Sequence, residues 1–410
     1  MRTLISNIQQ LLLTESTTKA RKQGLEMQQL PMLENAYVLV EDDIILDYGK
    51  MLNLKEQQVD KNIDASGAFV LPTWCDSHTH LVFAATREGE FIDKIQGCSY
   101  EEIARKGGGI LNSARKLQDT PEEVLLASAY ERLQEVRSYG TGAIEIKSGY
   151  GLTLAAELKM LRVIRQLKTM TKIPIKASFL GAHALPLAYK NNRAGYIDLI
   201  INKMLPQIAE EGLADYIDVF CEKVAFSVKE TEQLMDAGAR YGLKPKIHTN
   251  QFNCMGGIQA SVAHQAVSVD HLEVINDAEI DCLLQSETMA TLLPSAPFFI
   301  NDHYPQARKM IDAGLGVALA TDYNPGSTPS GNMPFVLSLA CIKMKMLPEE
   351  ALNAATINGA YAMELSDSLG SISLGKKANL IITKPMQSIA YMPYAFGTNW
   401  VEKVMIAGEV

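Results

Sequence analysis

The chain has 410 residues, of which 47% are hydrophobic, 21% charged and 7% aromatic. This ordinary globular usage excludes a disordered or collagen-like chain, and no apolar run approaches the ~20 residues that span a bilayer. Lys and Arg total 38 against 47 Asp and Glu, a net charge of −9; nucleic-acid binders carry a basic excess instead, so a small-molecule partner is expected, with no nucleic acid and no membrane.

In chain order, MRTLISNIQQLLLTES (1–16) offers a short LLL run without an apolar core region or cleavage site, so no signal peptide is expected and the cytoplasm is the expected compartment. The six cysteines form no CxxC pair and read as reduced thiols. AYVLVEDDIILDYGK (36–50) is two β-branched runs around an acidic turn, a hairpin signal. Eight short apolar runs follow, each ending at or beside a polar residue: FVLPTWCDSHTH (69–80), AIEIKS (143–148), IKASFLGAH (175–183), YIDVFCE (216–222), KPKIHTN (244–250), AVSVDHLE (266–273), MATLLPSA (289–296) and VALATDYN (317–324). Helical patterns lie between them, clearest where Leu154, Leu158, Leu161, Ile164 and Leu167 keep a spacing of three and four. Thr120-Pro121-Glu122-Glu123 predicts a capped helix start, and Ser227 with Glu230 predicts a capping box. GKKANLIITK (375–384) and WVEKVMIAGEV (400–410) read as closing strands.

Eight apolar strands alternating with helices predict an α/β fold, a parallel (β/α)8 barrel of the TIM type, over 69–365. The termini, 1–68 and 366–410, are expected to build one small β-sandwich domain. An open doubly wound sheet is the alternative; it usually carries a glycine-rich turn after its first strand, and no GxGxxG occurs here.

Of seven histidines, His78, His80, His183, His248 and His271 stand at ends of these strands, the face on which barrels build active sites. In an extended segment His78 and His80 project to one side, with Asp76. Adding His248 after the fifth strand and Asp322 after the eighth gives three imidazoles and one carboxylate. That donor set suits one divalent or trivalent ion, zinc or iron, and leaves a place for water.

These residues resemble the amidohydrolase superfamily. HTHLVFAATREGEF (78–91), KGGGI (106–110), EIKSGYGL (145–152), FLGAHALP (179–186), DVFCE (218–222), SVDHLE (268–273) and ALATDYNPGS (318–327) are similar, in order and over nearly the whole chain, to the imidazolonepropionase family. That resemblance implies hydrolysis of the ring amide of imidazolone propionate to N-formimidoyl-glutamate in histidine degradation, by a metal-bound hydroxide, in a homodimer. It implies His78, His80, His248 and Asp322 as ligands, with Asp322 moving the proton and His271 and His183 donating to the water or the oxyanion. Arg87 is the implied anchor of the propionate, and Tyr150, Gln251, Asn324, Gly326 and Ser327 are implied substrate contacts. Gln251 stands where relatives carry Gln or Glu, and a glutamine cannot act as a base.

Lys147 is expected as a charge on the barrel rim, and one metal rather than a lysine-bridged pair is expected. His264 and His303 match no ligand position. Gly107-Gly108-Gly109 lacks a following GK[ST], which excludes a phosphate loop and leaves a lid as the reading. Two rivals stand beside this reading. A heterocycle aminohydrolase would share the ligands but give Arg87 and Tyr150 no carboxylate to hold. A non-catalytic barrel would be expected to lack the ligand set.

Overall fold

The computed structural model describes residues 1–15, 20–98, 102 and 108–410. Five strands come first: β1 (Arg2–Leu12), β2 (Met32–Glu41), β3 (Ile44–Lys50), β4 (Lys61–Asp64) and β5 (Phe69–Pro72). The expected hairpin is β2 against β3, antiparallel, turning at Asp42 and Asp43. Eight parallel strands follow: β6 (Trp74–Asp76), β7 (Thr141–Lys147), β8 (Ile175–Ala182), β9 (Tyr216–Cys221), β10 (Lys244–Thr249), β11 (Ser268–His271), β12 (Met289–Leu292) and β13 (Val317–Leu319). They pair in strict sequence order from β6 to β13. The ring closes just past the strand ends, where Thr79 bridges Tyr323 in parallel and the Asp322 amide donates to the His78 carbonyl at 3.0 Å.

The chain ends with β14 (Leu380–Thr383) and β15 (Val401–Met405). These join β5 and the first strands in one sheet, ordered β15-β14-β5-β1-β2-β3 with β4 also on β1. Ile44 at one end of this sheet bridges Lys377 just before β14. The sheet thereby folds over its own core of Ile5, Val38, Val70, Leu380 and Met405, the sandwich expected from the termini. The run at 69–80 is divided rather than continuous. Phe69–Pro72 pairs within the terminal sheet, and only Trp74–Asp76 enters the barrel.

Alternation along the barrel strands sorts the layers. In β7, Ile144 and Ile146 face the apolar layer under the helices, while Glu145 and Lys147 meet charged residues of β9, β10 and β11 inside the barrel. Ser227 and Glu230 form the expected capping box on the helix Val228–Ala239. Thr120 does not cap as expected. The preceding helix, Ile110–Asp119, ends directly before it, so its hydroxyl donates back to the Lys116 carbonyl at 2.6 Å and Pro121 occupies the cap position. Among the described residues no helix is long and apolar enough to cross a membrane, and all six cysteines are free.

Candidate active site

The backbone leaving β6 carries His78 and His80 past the barrel's end, and the closing bonds to Asp322 and Tyr323 lay the end of the eighth strand beside them. His78 Nε2 is 3.5 Å and His80 Nε2 3.6 Å from Asp322 Oδ1, and His248 Nε2 is 3.3 Å from His80 Nε2. All four side chains are buried. Two overlapping groups, His78–His248–His271 and His78–His80–Asp322, bring their ligand atoms within 4.8 Å of one another. His78 Nε2 has no hydrogen-bond partner among the described residues although it is buried. A buried nitrogen aimed at other donors, with a carboxylate beside it, fits a divalent cation. Burial pushes the Asp322 carboxyl up to about 6. Asp322 (φ 56°) and His271 (φ 93°) both sit in left-handed backbone that non-glycine residues rarely adopt, as strained residues at functional sites do.

Three of the imidazoles are held from behind by a carboxylate, whereas the buried Nδ1 of His80 has no hydrogen-bond partner among the described residues. Asp270 Oδ2 meets His78 Nδ1 at 2.7 Å, Asp218 Oδ2 meets His248 Nδ1 at 2.9 Å, and Glu273 Oε1 meets His271 Nδ1 at 3.1 Å. Such partners place the proton on Nδ1 and turn Nε2 toward the centre. Burial alone would lower the His271 pKa; Glu273 outweighs it and carries the value to about 9. Lys147 is not on the rim as expected. It is fully buried beneath the histidines, 2.6 Å from Glu145, 2.7 Å from Asp218 and 3.6 Å from Asp270. Burial would lower its pKa, but these carboxylates raise it and keep the ammonium charged. Asp76 also differs from expectation. Its oxygens accept from the Thr321 amide at 2.9 Å and the Thr321 hydroxyl at 2.7 Å, so it ties the first strand to the eighth instead of facing the ion.

On the substrate side, Tyr150 lies 5.8 Å from the His80 ring and 5.4 Å from that of His183. The Gly149 carbonyl accepts from His183 Nδ1 at 3.1 Å, and burial lowers the His183 pKa to about 4. A neutral ring with its proton on Nδ1 offers an acceptor at Nε2. In that tautomer Nε2 is the acceptor nitrogen of His183. Arg87 is braced by Glu90, which accepts from Nη2 at 2.6 Å and from the Gly109 amide at 2.9 Å. A Cβ on Gly326 would come within 2.3 Å of Arg87 Nη1, so the guanidinium lies directly against that glycine. A cavity of about 370 Å³ lined by Arg87, Glu90, Phe91, Lys94, Phe299 and Gly326 opens beside it.

Asn324 uses its side chain within its own loop, donating to the Asp322 carbonyl at 2.7 Å and accepting from Gly326 and Ser327 amides at 2.7 and 2.8 Å. The Ser327 hydroxyl reaches Asp322 Oδ2 at 3.4 Å. Gln251 is nearly buried just past His248. Asn250 before it anchors that loop to Val274 and Glu279, both at 3.0 Å. His264 and His303 lie apart, paired with Asp236 and Asp302. Gly107, in the expected lid, lies outside the described residues. Sequence reading passed over Asp218, Asp270 and Glu273. The signal available was a charged residue at alternate positions of an otherwise apolar strand or directly beside a histidine.

A parallel barrel with imidazoles and a carboxylate converging at the C-terminal strand ends defines a metal-dependent hydrolase class. The amidohydrolase family model matches residues 69–410. The chain is 60% identical over 410 residues to an imidazolonepropionase of Flavobacterium johnsoniae and 57% identical to one of Christiangramia forsetii, each alignment covering 100% of both chains. The chain belongs to the amidohydrolases and, within them, to the imidazolonepropionase family. Among solved structures it is similar in fold to an atrazine chlorohydrolase of Arthrobacter aurescens complexed with zinc and atraton (TM-score 0.72, 17% identity, 100% and 94% of the two chains). It is likewise similar to a zinc-bound adenosine deaminase of Xanthomonas campestris (TM-score 0.71, 16% identity, 99% and 92% of the chains).

Proposed function

We propose that this chain hydrolyses the ring amide of imidazolone propionate to N-formimidoyl-glutamate, with His78, His80, His248 and Asp322 holding one divalent ion, zinc or iron. The observation that carries this reading is the guanidinium of Arg87 lying against Gly326, in the loop that follows Asp322. A planar two-pronged cation suits the propionate carboxylate, and a bare heterocycle offers it no carboxylate. When bound, the ion supplies Lewis acidity, which brings the pKa of a coordinated water from ~15.7 to about 7.

The chain's own groups do the rest. Arg87 anchors the tail, Tyr150 covers the ring and His183 Nε2 accepts a ring N–H. Water adds to the carbonyl carbon and the ring C–N bond breaks. Asp322 takes the water's proton and passes it to the departing nitrogen, which must be protonated to leave. His271, held through Nδ1 by Glu273, turns Nε2 toward the oxygen on which negative charge develops. In this reading Gln251 and Ser327 contact the substrate, Gln251 as a hydrogen-bonding group and not a base. Asn324 and Gly326 shape the loop that seats Arg87 and Ser327.

The proposal includes a homodimer in the cytoplasm. Six free thiols support a reducing compartment, the family resemblance supports the dimer, and light scattering measures it. The decisive assay follows the ultraviolet absorbance of freshly made imidazolone propionate. We expect substrate loss without ammonia release, abolished by chelation and restored by about one equivalent of zinc or iron. Metal-replete protein that leaves this substrate intact overturns the reading, and ammonia release points to an aminohydrolase instead.

A further inference from the structure

The string SGYGL is built around a carboxylate that the proposed mechanism does not use. Glu157, in the helix Leu154–Met170, is fully buried. It accepts from the amides of Gly149 at 3.0 Å, Gly151 at 2.8 Å and Leu152 at 2.8 Å. Among the described residues no cation pairs with it. A carboxylate withdrawn from water persists only where fixed donors replace its hydration, and backbone amides of one short loop curled around an anion are such a donor set. The glycines are what allow the curl. Gly149 has φ 109°, and a Cβ there would come 3.0 Å from His183 Nδ1. A Cβ on Gly151 would come 2.8 Å from Glu157 Oε1 and 2.5 Å from the Glu157 amide.

Two groups that face the substrate hang on this loop. Tyr150 lies between the gripped glycines, and the Gly149 carbonyl is the acceptor for His183 Nδ1. We propose that Glu157 is a positioning residue of the active site: by holding the backbone of Gly149, Gly151 and Leu152 it fixes both the Tyr150 ring and the carbonyl that sets the tautomer of His183. The proposal deepens the hydrolase reading and rests on it for its kinetic consequence only.

The test uses the full-length protein loaded with zinc. Glu157→Gln keeps the side chain's volume but presents an amide NH2 to one or more backbone N–H groups. Kinetics on imidazolone propionate should show kcat/KM lowered by roughly tenfold to a hundredfold, as a misplaced positioning group costs, with zinc content unchanged. The losses of Glu157→Gln and Tyr150→Phe should be non-additive in the double variant. Independently of any substrate, long-range proton–nitrogen NMR of histidine-labelled protein should show His183 protonated at Nδ1 in the parent and that signature lost or broadened in Glu157→Gln. Should that variant not fold, Gly151→Ala disturbs the same loop and should give the same kinetic and NMR pattern. Parent-like kinetics and an unchanged His183 signature overturn the proposal, as does an activity loss that merely follows zinc loss. A parent protein inactive on imidazolone propionate overturns the hydrolase reading instead, and leaves the NMR test standing.

Discussion

His183 and Arg87 show how much a single contact decides at the scale of one residue. A histidine at a strand end reads equally as donor or acceptor; the bond from its Nδ1 to the Gly149 carbonyl makes Nε2 an acceptor. Arg87 in TREGE reads as a surface charge until Glu90 and Gly326 fix its plane. Hydrogen bonds to charged groups are worth about 1.5–3 kcal/mol, so Arg87→Ala should lower kcat/KM for imidazolone propionate by roughly tenfold to a hundredfold, chiefly through KM. Arg87→Lys keeps the charge without the fork and should fall between. Steady-state kinetics on the two variants check this, and an unchanged KM in Arg87→Ala would remove the anchor from the mechanism.

At the scale of elements, the strands were readable because their outward faces are apolar and their ends are not. His78, His80, His248, His271 and Asp322 each follow an apolar run, and the barrel's parallel order sends every such end to one face. Helix starts were readable where the cap is local, as at Ser227, and misleading where two helices meet, as at Thr120. The Ser227 cap carries a pH signature. Burial alone would raise the Glu230 carboxyl, but bonds from Arg193 and from the Ser227 amide and hydroxyl outweigh it and bring the pKa below the usual carboxylate value. A carboxyl depressed in the folded state adds stability above its unfolded pKa, near ~4.3, and loses it as pH falls through the folded value. Urea unfolding of Glu230→Gln should therefore show a deficit against the parent at pH about 7 that shrinks below about pH 4; a deficit constant across that range would assign it to packing.

For the whole molecule, the barrel interior is a charged floor under the site. Lys147 from β7 meets Asp218 from β9 and Asp270 from β11, and Lys246 from β10 meets Glu145 at 2.8 Å. The carboxylates that hold His78 and His248 are thus themselves held by one ammonium. Removing one partner of a buried ion pair costs about 3–5 kcal/mol, and loss of the partners behind metal ligands typically costs about 10–100-fold in metal affinity. Lys147→Met should show both, by urea unfolding and by competition with a chromophoric chelator. Stability lost with metal affinity intact would make the network a matter of folding alone.

The barrel, the terminal sheet and the cluster of histidines with Asp322 at the strand ends are legible in the sequence, because apolar period and strand-end chemistry are local properties of the chain. Folding alone settles which carboxylate stands behind which histidine, that Lys147 is buried rather than on the rim, that Asp76 braces Thr321, and which nitrogen of His183 is occupied. Those are pairings between strands far apart in the chain. They depend on register around a closed ring, and a one-residue shift of register turns every side chain to the opposite face.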